Sequence, residues 1–210
     1  DVSGPGTRNM AVDEALMRSA RPRSGPAGDP ADPAAGPGHV TLRLYRWEPG
    51  CLSFGRNQAA RGAYDPAAAA ARGIDVVRRP TGGRAVYHHR ELTYSVTAPA
   101  ETWGSLRDTY CRINRALAAG LAALGVSVAC AGDADAGARA PRPTARACFR
   151  DPLPGEVTAR GRKLIGSAQW RDGGALLQHG SLLLVDEQAV ADELRAVSYT
   201  HLRAHETKAN

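Results

Sequence analysis

The chain has 210 residues, 43% of them hydrophobic and 23% charged, which suits one globular domain with a sizeable core. Its net charge of +6 fits nucleic acid or an acidic carrier protein equally. An aromatic content of 5% and the lack of a dense Lys/Arg run argue against a nucleic-acid stacking platform. Apolar runs are short and broken by Gly or charge, and no basic-then-apolar leader opens the chain, so the expectation is no membrane span and a cytoplasmic setting. The first residue is Asp1 rather than Met, as in a chain cut at its start.

Asn9 reads as the cap of a helix over 10–17, with Asp13 and Glu14 in a first turn where the helix dipole favours acids. Residues 21–39, rich in Pro, Gly and Ala, read as a flexible surface loop. Alternation of Val40, Leu42 and Leu44 predicts a half-buried strand over 40–46, and 51–55 is a second. Asp65-Pro66 opens a short alanine helix that Gly73 closes. Residues 74–79 form a strand, Pro80-Thr-Gly-Gly83 a turn, and 85–89 and 92–98 two more strands.

Ser105 caps a longer helix, with Asp108 in capping-box position. Leu106, Tyr110, Ile113, Leu117, Leu121 and Leu124 recur at spacings of three and four, giving an apolar stripe that Gly125 ends. After a loose Ala/Arg/Pro stretch to Arg146 come three extended runs, 156–159, 163–171 and 176–185, and a last helix starts near Asp186. The expected class is α+β, a mixed, largely antiparallel sheet flanked by helices, in a single domain over 1–197. Residues 198–210 carry no stripe that continues the last helix and look like translated sequencing-adapter read-through, so they are treated as a non-native tail. His201 and His205, beside Glu206, have metal-pair spacing, but in such a tail they are assigned no metal.

The four cysteines, Cys51, Cys111, Cys130 and Cys148, show no CxxC pairing, which argues against a zinc ribbon or disulfide framework. Each is a small buried hydrophobe or a reactive thiolate. Cys111, beside Tyr110 on the long helix, has no charged partner implied by spacing, and Cys51, Cys111 and Cys130 all read as structural thiols, buried or partly buried. Trp47, Trp103 and Trp170 are scattered and read as core or rim.

Two segments stand out. In Arg78-Arg-Pro-Thr-Gly-Gly-Arg-Ala-Val-Tyr-His88-His89, paired glycines let the backbone approach a ligand and free its N–H groups. A Gly-Gly pair alone is an ordinary hairpin turn; the flanking Arg and His cluster is what a plain turn does not need. The second set is Ala147-Cys148-Phe149, Gly161-Arg-Lys163-Leu-Ile-Gly166-Ser167-Ala168-Gln169 and Leu177-Gln-His179-Gly180-Ser181. A thiol becomes a nucleophile when a nearby cation stabilises its thiolate, and Lys163 is the only lysine before the tail. A compact ammonium kept among arginines points to a specific use, against the simpler reading of a surface lysine at a hairpin.

These segments resemble the biotin/lipoate protein ligase superfamily, and more narrowly its cysteine-dependent octanoyltransferase branch; the likeness runs from Asn9 to about Val185. The resemblance implies the superfamily's catalytic-domain fold around an acyl pocket. It implies that Cys148 attacks an octanoyl thioester on acyl carrier protein, that Lys163 lowers the thiol pKa and orients the acyl carbonyl, and that a lipoyl-carrier lysine, such as that of glycine cleavage H protein, takes the acyl group as an amide. Pocket positions carried over are Arg79, Gly82, Gly83, Arg84, His88, Gly166, Ser167, Ala168, His179 and Gly180. Thioester-to-amide transfer runs downhill, so neither cofactor nor metal is expected. Two departures are His89, where the branch has aspartate, and Arg150-Asp-Pro-Leu-Pro-Gly-Glu156, which keeps only the Glu of a Ser-x-Tyr-Glu pattern. Alternatives are an ATP- and Mg-dependent lipoate or octanoate ligase on the same fold, an amidotransferase moving octanoyl between lipoyl domains, and a non-catalytic acyl- or nucleic-acid-binding module.

Overall fold

The computed structural model describes residues 2–22, 38–131 and 154–195. Its elements are β1 (Val2–Gly4), α1 (Gly6–Ser19), β2 (Thr41–Trp47), β3 (Cys51–Phe54), α2 (Pro66–Ala71), β4 (Asp75–Arg78), β5 (Val86–His88) and β6 (Glu91–Pro99), then α3 (Leu106–Ala123), β7 (Ala129–Cys130), β8 (Val157–Ala159), β9 (Arg162–Lys163), β10 (Ile165–Asp172), β11 (Ala175–Leu183) and α4 (Ala189–Glu193). The class is α+β. Among the described residues the largest sheet runs β1-β2-β6-β11-β10, parallel only at its β1 edge. A mixed sheet, β4-β3-β5, and a small antiparallel one, β7-β8-β9, complete the layers.

Buried side chains seat these layers on one another. Tyr94, Val96, Ile113, Val157 and Ile165 form the core between the large sheet and α3. Leu52, Phe54, Ala69, Tyr87 and Leu194 close the second sheet against α2 and α4. Between the two sheets lies α1, whose Met10 packs with Tyr45, Trp47, Cys51 and Val77. Cys51 is fully buried, and burial raises its thiol pKa well above the ordinary range; Cys111 and Cys130 are partly buried. Among the described residues no helix is long and apolar enough to cross a membrane.

The first helix differs from the expectation. It begins at Gly6, so Asn9 is inside it rather than capping it. The Gly6 N–H donates to the Asp75 carboxylate at 2.9 Å, and this β4 side chain serves the helix end from far along the sequence. Gly6 is required by the packing: a Cβ there would lie 2.6 Å from Cys51 Sγ. Asn9 turns inward and donates to the carbonyls of Gly4 and Arg46. Asp13, one turn further, is therefore fully buried instead of sitting in a solvated first turn.

The capping box on α3 is present, with Ser105 accepting from the Asp108 N–H. Its stripe is shorter than the spacing implies. Ile113 is buried with Leu117 and Leu121 packed beside it, but Leu106 and Leu124 overhang the sheet and are 52% and 80% exposed. The loop over 21–39 falls mostly outside the described residues, and the tail over 198–210 wholly so.

Candidate functional site

A cavity with about 560 Å³ of empty space, its open mouth included, lies where α1, β5, β10 and β11 converge. Met10, Tyr45, Trp47, Val86 and Ala168 supply its apolar wall. Of the expected site residues, Arg79, Gly83, His88, Lys163, Gly166, Ser167, Ala168, His179 and Gly180 line it. Gly82 and Arg84 act one layer behind: their carbonyls accept from the Arg79 guanidinium at 2.8 and 2.6 Å. That grip shapes the Pro80–Gly83 turn, and Gly83 at φ 98 takes a left-handed conformation that suits glycine. Cys148 lies outside the described residues, as do Arg142, Arg146 and Arg150.

The cavity depends on missing side chains as much as on those present. Gly180 on β11 pairs with Ser167 on β10. A Cβ at Gly180 would stand 2.5 Å from the Gly166 carbonyl oxygen and 2.8 Å from the Tyr94 ring, so the close approach of β10 and β11 at the cavity wall needs glycine here.

Lys163 enters from β9. Its Nζ donates to Glu156 Oε1 at 2.7 Å, and the two side chains are 6% and 2% exposed. Tyr110 reaches the same oxygen from α3, and Asn114 donates to the Gly155 carbonyl at 2.8 Å, fixing the chain just before β8. A buried charge requires such a partner, since desolvation without one costs several kcal/mol.

His88 stacks on Trp47 with ring centroids 4.2 Å apart. Its Nδ1 lies 2.8 Å from Glu91 Oε1 and its Nε2 2.7 Å from the Ser53 hydroxyl. Ser53 Oγ in turn accepts from Arg79 at 3.0 Å, so His88 and the glycine turn are mechanically linked. Burial by itself raises the Glu91 pKa; His88, Thr93 and Ser181, all hydrogen-bonded to it, more than offset this and hold it below the usual range.

His179 spans two elements, with Nδ1 3.1 Å from Asp13 and Nε2 2.6 Å from the Thr81 hydroxyl. Burial lowers its pKa despite the Asp13 carboxylate, so the imidazole is neutral, donating to Asp13 and accepting from Thr81. Burial pushes the Asp13 pKa up, but His179, Ser95 and Arg43 outweigh it, and the carboxyl stays ionised. Arg43 Nη1 lies 2.7 Å from it, and the Tyr45 hydroxyl donates at 2.9 Å.

Sequence reasoning missed Asp13, Arg43, Ser53, Glu91 and the ion-pair role of Glu156. A usable signal existed for some. Asn9 and Asp13 are four apart on the face that carries Met10 and Met17, and Glu91 stands three residues beyond His88. By contrast His89, at the position of the expected aspartate, is exposed, does not line the cavity and lies 3.0 Å from Glu187.

A family model, the lipoyl protein ligase A/B catalytic domain, matches residues 5–208. The chain belongs to this family. Octanoyltransferase LipM of Moorella thermoacetica is 43% identical over 186 residues, covering 87% of this chain and 62% of that protein. The chain thus spans about three fifths of the length of the curated relatives it matches. A crystal structure of lipoate-protein ligase A bound with ATP superposes with a TM-score of 0.65 at 23% identity, over all of this chain and 76% of that one. A bi-partite lipoate protein ligase, studied with its E2 lipoyl domain from Thermoplasma acidophilum, gives 0.63 at 24% identity, over 96% and 67%. These two structures show the family fold.

Proposed function

We propose that the chain is an octanoyltransferase of lipoate biosynthesis. In this reading the Cys148 thiolate attacks the carbonyl of an octanoyl thioester on acyl carrier protein. The carbonyl carbon–sulfur bond to the carrier breaks, its thiolate leaves and takes up a proton, and octanoyl-Cys148 remains. A lysine amine of a lipoyl-carrier protein, such as glycine cleavage H protein, then attacks. A carbon–nitrogen bond forms, the nitrogen sheds its proton, and the Cys148 thiolate is regenerated. A thioester is exchanged for an amide, so the transfer proceeds without ATP. The compartment proposed is the cytoplasm, where thiols stay reduced.

The observation that carries this reading is the buried Lys163 ammonium on the wall of an otherwise largely apolar cavity. An apolar wall suits an alkyl chain, and a fixed cation beside it suits the charge that passes from thiolate to tetrahedral oxygen. Likeness to octanoyltransferase LipM supports the choice of acyl group. Roles for Arg79, Gly82, Gly83, Arg84, His88, Gly166, Ser167, Ala168, His179 and Gly180 as the acyl-binding shell belong to the same proposal.

The test is transfer without nucleotide. Octanoyl-acyl carrier protein and unmodified H protein, mixed with the chain and no ATP, are expected to give H protein heavier by one octanoyl group. Modification only with ATP and free octanoate, accompanied by pyrophosphate, would make the chain a ligase. Transfer only from an octanoylated lipoyl domain would make it an amidotransferase.

A further inference from the structure

A second depression opens beside the first on the outer side of β8 and β9, and Lys163 lines both. Its edges are Arg160, Arg162 and Asp186, with Leu183 and Leu184 as an apolar side. Arg162 and Lys163 are neighbours on β9, so their side chains diverge. The Lys163 side chain is 6% exposed and that of Arg162 is 83% exposed.

The β8–β9 turn itself is unusual. Ala159 pairs with Arg162, leaving Arg160 and Gly161 as a two-residue hairpin connection, both at positive φ, 51 and 72. Such a turn favours Asn, Asp or Gly at both places. An arginine there places a cation at the turn against the local conformational preference. Among the described residues Arg162 has Asp186 at 3.7 Å, itself 55% exposed. An exposed pair of that kind contributes little, so exchanging it for a better anion costs little. Leu184 is 61% exposed beside it.

We infer that this groove receives the 4′-phosphopantetheine arm of the carrier-bound acyl donor, with Arg160 and Arg162 on its phosphate and Leu183 and Leu184 along the arm. The inference rests on the thioester-donor reading above. Charge complementarity selects the phosphate, since two arginines at one rim match a phosphodiester better than an ammonium does. Continuity through Lys163 directs the thioester end toward the acyl cavity.

The experiment compares S-octanoyl-4′-phosphopantetheine with S-octanoyl-pantetheine as acyl donors, reading the rate of acyl-adduct formation by intact mass. The phosphorylated donor is expected to be at least about tenfold more efficient in kcat/KM, about 1.4 kcal/mol. Arg162→Ala combined with Arg160→Asn, which keeps a residue tolerant of positive φ, should erase that advantage, leave the unphosphorylated donor unchanged, and slow octanoyl-acyl carrier protein to match. Equal rates for the two donors in the unaltered chain, or an advantage that survives the double substitution, overturns the groove and leaves the transferase reading standing. No adduct with either donor overturns the transferase reading and the groove with it.

Discussion

Lys163 Nζ and Glu156 Oε1 are 2.7 Å apart with both side chains shut off from solvent. This ammonium–carboxylate contact fixes where the cavity's charge sits: β8 and β9 are short strands, and α3 holds the start of β8 through Asn114 and Tyr110. Removing one partner from a buried pair costs about 3–5 kcal/mol, because the other charge loses that contact while still desolvated. Glu156→Ala is therefore expected to lower stability by about that amount and to slow acyl transfer at least tenfold. Glu156→Gln, which keeps an acceptor oxygen, should cost less. Chemical denaturation of Glu156→Ala, Lys163→Ala and the double variant checks this, the double being less destabilised than the sum of the singles.

Gly180→Ala adds one methyl group where the Gly166 carbonyl and the Tyr94 ring already stand within contact distance. Overpacking of this sort costs about 1–3 kcal/mol, and relieving it moves the Gly166 and Gly180 backbone that lines the cavity. Affinity for an octanoyl thioester should fall more than affinity for a butanoyl one, measured as the ratio of adduct rates.

Acid should destabilise the fold in two stages. His179 has a lowered pKa, so as pH falls below the ordinary histidine value of 6.5 the unfolded chain binds a proton that the folded chain does not, and stability drops. Asp13 and Glu91 are also lowered, so their contributions are complete above the ordinary carboxyl values of 3.8 and 4.5 and are lost as pH falls through the folded values. Melting temperature should decline from pH 7 to 5, by about 2–4 °C for each kcal/mol lost, and fall again below about pH 4.5. His179→Gln should flatten the first stage and keep the second. A melting temperature that rises as the buffer is acidified from pH 7 to 5 contradicts the neutral-imidazole assignment.

Ser105→Ala provides a control remote from the cavity. It removes the capping box at the α3 start, for about 1 kcal/mol of stability. Acyl-adduct formation at a temperature well below melting should be unchanged.

What the sequence displayed was local chemistry. Asp65-Pro66 opening α2 and Ser105 with Asp108 opening α3 are each complete within four residues, and both occur where the pattern puts them. The strands and turns that carry Arg79, His88, Lys163 and His179 were readable from alternation and glycine punctuation, and the fold brings those four side chains to one cavity. Features made by distant partners were hidden. The start of α1 is served by Asp75, 69 residues away, so a search for a nearby cap settles on Asn9. Asp13 becomes a buried anion only because Arg43, Ser95 and His179 arrive from three other strands. β1 spans three residues and β7 two, too few for any period to register.

The central claim is covalent chemistry at Cys148, and intact-mass measurement tests it most directly. After incubation with octanoyl-acyl carrier protein the chain should gain one octanoyl group, which hydroxylamine removes and Cys148→Ala prevents. A Cys148→Ala chain that still acquires the group, or still transfers it at the unaltered rate, would contradict the account.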